Sequence, residues 1–98
     1  MATGTVTPTT QTQVSVGNTT TLVLAANGKS QYVALKNVSD TQISLKIDAD
    51  AVVEDAIVLE AGESYEMSEA IGNLVTGAIN GITATGTKVM AVYEAEGT

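Results

Sequence analysis

From Val14 onward apolar side chains recur at every second position in almost every segment, the period of a strand with one face buried. Val14 and Val16 alternate with serine and run into Gly17-Asn18. Thr20–Ala25 puts Leu22 and Leu24 on one face and Val23 on the other. Gln31–Asn37 places Val33 and Leu35 inward against Tyr32, Ala34 and Lys36. Thr41–Asp48 is the cleanest case, with Ile43, Leu45 and Ile47 against Gln42, Ser44 and Lys46. Shorter strands follow at Ile57–Glu60, Ser64–Met67, Ala78–Ala84 and Lys88–Glu94. Asn27-Gly28, Val38–Asp40, Ala61–Glu63 and Thr85–Thr87 separate them, and Gly and Asn tolerate the positive φ that tight turns demand. The pattern predicts two hairpins, Gln31–Asn37 with Thr41–Asp48 and Ala78–Ala84 with Lys88–Glu94. Asp48–Ala56 reads as a loop crossing between sheets, and Ser68–Thr76 as a short helical turn capped by Ser68.

Short, evenly spaced strands with turns between them predict an all-β protein: a small antiparallel β-sandwich, jelly-roll-like or a partly open barrel, with an extended N-terminal arm. The expected core is Val33, Leu35, Ile43, Leu45, Ile47, Leu59, Tyr65, Met67, Met90 and Val92. Residues 14–98 form the single predicted domain, and residues 1–13 the arm. The arm is rich in Thr and Gln and carries the chain's one proline, Pro8. Two readings fit it: a frayed tail, or a strand that pairs with a neighbouring subunit's sheet edge, where backbone hydrogen bonds alone supply affinity. The second is preferred, because side chains this polar have no place on the domain's own core.

Composition narrows the function. Cysteine and histidine are both absent, which removes disulfides, thiolate clusters, the usual neutral-pH base and the usual imidazole ligand. Serines and threonines therefore have no base to activate them, and Lys29, Lys36, Lys46 and Lys88 sit at turns or on outward phases. No glycine run forms a phosphate cradle. Eleven acids against four bases, net charge −7, cannot provide the basic stripe that nucleic acid requires. The acidic stretch Asp48, Asp50, Glu54, Asp55 lacks the glycine and terminal glutamate of an EF-hand loop and reads as a solvated loop. Three tyrosines with no Trp or Phe are too few for a sugar-lined cleft. No stretch approaches the ~20 apolar residues of a membrane-spanning helix, and the N-terminus has no basic, apolar leader. The expectation is a soluble, non-enzymatic protein without cofactor, binding neither nucleic acid nor membrane.

One strand departs from the amphipathic rule. In Lys88–Glu94 both phases are apolar, Met90 and Val92 on one and Val89, Ala91 and Tyr93 on the other. Either a loop or the arm covers the second face, or that face meets another subunit, where depleted charge and tyrosine are the expected signs. Tyr32 lies on the outward phase of its own strand and can join it. The candidate contact residues are therefore Thr3, Thr5, Val6 and Pro8 in the arm and Tyr32, Val89, Ala91 and Tyr93 on the sheet. Self-association as a homotrimer is expected from this two-sided strand and the lean core.

Thr19–Asn27, Tyr32–Thr41, Ala61–Met67 and Thr76–Ile82 occur in an order that resembles a group of small β-sandwich virion proteins of tailed bacteriophages. These are capsid decoration (cement) or head-fibre components. The resemblance covers residues 14–95 and leaves the arm outside it. It implies a structural protein on the capsid exterior, present in the host cytoplasm during assembly, with the major capsid protein and its own copies as partners. It implies no catalytic residue. Many members carry a charge or a cysteine where this chain has Gly81–Ala84, so their contacts do not transfer. A receptor- or glycan-binding knob on a fibre, or a neck or tail adaptor, is the alternative.

Overall fold

β-Branched and aliphatic residues spaced by two build eight strands in the computed structural model, which describes residues 6–97. They are β1 (Val6–Val16), β2 (Thr21–Leu24), β3 (Ser30–Asn37), β4 (Ile43–Ile47), β5 (Ile57–Leu59), β6 (Ser64–Ser68), β7 (Ile79–Ile82) and β8 (Lys88–Gly97). Two four-stranded antiparallel sheets result, β1-β8-β3-β6 and β2-β7-β4-β5. Pairing runs β1 with β8, β2 with β7, β3 with β6 and β4 with β5, as though one long hairpin had been rolled up. Contacts β3–β8 and β4–β7 close the roll. This is the double Greek key of a jelly roll, and the all-β sandwich expected from the alternation is the fold.

The inner faces meet in a core of Val16, Val23, Leu24, Val33, Leu35, Ile43, Leu45, Leu59, Met67, Ile79, Met90 and Val92. Ile47 and Tyr65, expected within it, are half-buried at its margin. Gly81 lies inside as well, where a Cβ would come 2.9 Å from Val23 Cγ2 and 3.3 Å from Leu45 Cδ2. A register shift between Leu22 and Leu24 corrects the reading of β2: Val23 and Leu24 both turn inward, and Leu22 is left 55% exposed. Glu94 continues the inward phase of β8 and is buried, the one charged residue among the described residues that is.

Connections differ from expectation in a consistent way. Neither predicted hairpin exists, because β3 and β4, like β7 and β8, belong to opposite sheets. The acidic loop, expected to cross, instead joins β4 to β5 within one sheet. A rolled hairpin requires this, since every strand but those at its tip is followed by one in the other layer. Asn37 anchors one such crossing: its buried amide donates to the Thr41 carbonyl at 2.8 Å and the Leu59 carbonyl at 2.9 Å. Ser68 Oγ accepts from the Ile71 amide at 3.0 Å, but the segment stays a turn, stopped at Gly72 with φ +91.

The arm also needs correction. Residues 6–13 do not leave the domain; they are the first part of β1 and pair with β8 of the same chain, from Val6 opposite Gly97 to Gln13 opposite Ala91. Apolar side chains are unnecessary there, because an edge strand is held chiefly by its ladder hydrogen bonds and β-favouring Thr suits it. Pro8 sits where that ladder is irregular, at the register shift between Pro8 and Thr10.

Candidate functional site

The two sheets present their outer faces differently. Behind the second sheet, the loop between β4 and β5 folds over the strands as a roof. Asp48 starts it in the left-handed region, φ 60, and its carboxylate accepts from the Ala78 amide at 3.0 Å, in space a Cβ on Gly77 would fill. Asn80 Nδ2 then donates to the Ala49 carbonyl at 2.7 Å, and the Ala51 amide to Thr20 Oγ1 at 2.9 Å. The Glu54 amide donates to Ser44 Oγ at 2.9 Å. As a result Ser44, on the outward phase of β4, is only 2% exposed and Ala51 only 5%. Asp55 closes the loop against Lys46 at 2.7 Å, and that ammonium holds its carboxyl below the usual carboxylate range. The described residues hold no cluster of three potential metal ligands.

Among the described residues no such roof covers the first sheet. Register stacks its outward side chains in two cross-strand rows, Gln11–Tyr93–Ala34–Glu66 and Gln13–Ala91–Lys36–Ser64. Val89 lies beside Ser15 one step further along. The small side chains of Ala34 and Ala91, between Tyr93 and Lys36, leave a shallow groove of about 310 Å³ floored by the backbone of Leu35 and Val92. Tyr32 packs edge-on against Tyr93, with ring centroids 5.7 Å apart and planes at 68°. Its hydroxyl donates to the Glu66 carboxylate, and chiefly through that bond its ionisation is pushed above the usual phenol range. Val89, Ala91, Tyr93 and Tyr32 are all half-exposed.

The structure thus brings together Tyr32, Val89, Ala91 and Tyr93 on one open face. Pro8 is on the same sheet at its edge, away from the groove. Val6 takes part through its backbone, opposite Gly97, while Thr3 and Thr5 lie outside the described residues. No family model, curated protein or solved structure matches the chain. Gln11, Gln13, Ala34 and Ser64 complete the face and were missed in the sequence; their outward phase was readable, but their neighbours depend on which strands flank β8. Of the fifteen charged residues in the chain only Lys36 and Glu66 fall in the two rows, and Lys36 is in neither ion pair of the described residues, Lys46–Asp55 and Lys88–Asp40. A surface of this kind can be covered with little desolvation of charge.

Proposed function

We propose that the chain is a non-enzymatic virion structural protein, a capsid decoration protein that docks on the head shell through the outer face of its first sheet. The observation that carries this reading is the asymmetry of the two faces: one is roofed by its own loop, the other open, apolar at its centre and poor in charge. Such a module binds the assembled lattice in preference to free shell subunits and stabilises the shell by mass action. The phage resemblance supplies the partner, the major capsid protein on the head exterior. Purified protein mixed with undecorated heads should co-sediment with them, and Ala91→Arg, which fills the groove beside Lys36, should abolish binding while leaving the circular dichroism spectrum unchanged. Binding that survives Ala91→Arg refutes the docking face. Heads that never take up the wild-type protein refute the decoration role.

The Tyr32–Tyr93 pair favours a second reading. A tyrosine beside a groove lined by Lys36 and Ser64, with Gln11, Gln13 and Glu66 in the same cross-strand rows, is an arrangement that also suits a sugar, as a receptor- or glycan-binding knob would require. A glycan array separates the two: specific binding lost on Tyr93→Ala supports the knob, and a blank array leaves decoration.

A further inference from the structure

The sequence distributes its charge unevenly. The first charged side chain is Lys29, so β1 and β2 contain none. These strands are the edges of their respective sheets and lie on the same side of the sandwich. Two neighbouring edge strands of a protein with net charge −7 are therefore uncharged, the acidic loop coming close only at Thr20, beside the start of β2. Edge strands normally carry charges, proline or bulges that block further pairing, or are short. β2, β5 and β6 are short, and β6 has Glu66. β1 is the longest strand, and its only guards, Pro8 and the register shift beside it, protect its first part. From Thr10 to Val16 its register is unbroken, and Gln11, Thr12, Gln13 and Ser15 are exposed.

We infer that this edge pairs with β1 of a second copy of the chain, antiparallel and across a two-fold axis at Gln13, joining the two first sheets into one. The occupant follows from charge. Two protomers of net charge −7 repel one another, and they approach at least cost along β1, a strand that bears no charge. It follows also from register. An edge that meets its own copy is isologous, and centring the contact on the unbroken run sets Gln13 opposite its equivalent, Thr12 opposite Val14 of the partner subunit, and Gln11 opposite Ser15 of the partner subunit. No like charges meet, and Val14, half-buried in one protomer, gains cover. Two-fold pairing takes the place of the three-fold association expected from the two-sided apolar β8. It does not depend on the capsid reading, since it leaves the outer face of the first sheet open in both copies.

The test uses the full chain and multi-angle light scattering at about 100 µM, where contacts of micromolar strength are saturated, followed by dilution to about 1 µM to read the dissociation midpoint. The wild type is expected at twice the protomer mass. Gln13→Lys and Gln13→Glu each place like charges against each other at the axis of the interface, so each alone should shift the dissociation midpoint about tenfold or more. Gln13 is exposed, and unchanged circular dichroism should show that both variants fold. An equimolar mixture should restore the double mass, with native mass spectrometry finding one chain of each kind, because lysine now faces glutamate. A wild type at one or three protomer masses, variants that associate as the wild type does, or a mixture that stays apart would each overturn the inference.

Discussion

Gly81→Ala tests the packing of the sandwich at its tightest point. Gly81 faces inward from β7, and its Cβ would stand 2.9 Å from Val23 Cγ2, 3.3 Å from Leu45 Cδ2 and 3.5 Å from Val16 Cγ1. Carbon atoms prefer about 3.5–4.0 Å, so the new methyl is well inside contact with Val23 and slightly inside contact with Leu45. Val23 is β-branched and confined by the irregular pairing of β2, so it cannot swing away freely. Overpacking of this kind costs about 1–3 kcal/mol. The loss of unfolded-chain freedom on replacing glycine returns about 0.4–1 kcal/mol. The net expectation is destabilisation of about 1–2 kcal/mol, read as a lower urea midpoint at unchanged slope. Val23→Ala alone should also destabilise, by about 1.5–3 kcal/mol from lost burial. Combined, the two should cost less than their sum by about 1 kcal/mol, because the added methyl occupies part of the space valine vacates. A Gly81→Ala protein as stable as the wild type, or strictly additive changes, would refute this account of the core.

Leu45→Ala, at a fully buried site facing Gly81, should lower stability by about 2–5 kcal/mol in the same urea assay. The Tyr32 phenol, its ionisation raised by Glu66, contributes stability that is complete below the unfolded phenol value of about 10 and lost as pH climbs through the folded one. Glu66→Gln should bring the Tyr32 midpoint in a ring-carbon NMR titration back toward that value. On the acid side, Lys88 and Lys46 lower the carboxyls of Asp40 and Asp55, so their contribution is complete above about pH 4 and lost as pH falls through the folded values. Lys88→Ala should raise the Asp40 midpoint in a carboxyl-carbon titration and leave that of Asp55 in place.

Alternation in Ile43–Ile47 and Val33–Leu35 was enough to say which side chains face inward, and the turns at Asn27-Gly28, Ala61–Glu63 and Thr85–Thr87 all lie between strands. What alternation cannot encode is the sheet to which the next strand belongs. A short turn carrying Gly or Asn serves a hairpin and an inter-sheet crossing equally, and this chain uses it for crossings. Ile79 escaped the expected core because a single inward residue at a strand end carries little periodicity, and Val16 because its two-residue alternation with Val14 was too short to fix a face. Val23 and Leu24 escaped it because a shift of register puts Leu24 on Val23's face instead of Leu22's. The grouping of Tyr32 with Tyr93 was readable as two outward phases that can adjoin. The roof over the second sheet was not, since the bond from Ala51 to Thr20 joins segments far apart in the chain.

The place of β8 has a consequence for synthesis. β8 follows the other seven strands in chain order, yet it lies at the interior of the first sheet, between β1 and β3. Until it emerges β1 has no neighbour, and β3 can join only β6. Translation at about 5–20 residues per second therefore delivers every strand of the second sheet while the first sheet holds at most its β3–β6 pair. Closure then pairs β1 with β8, the first and last strands of the sandwich, a non-local step of the kind that keeps β-sandwich folding in the millisecond-to-second range. During that interval the uncharged β1 strand waits without its own partner, so the nascent chain is most exposed to wrong pairing just before β8 emerges.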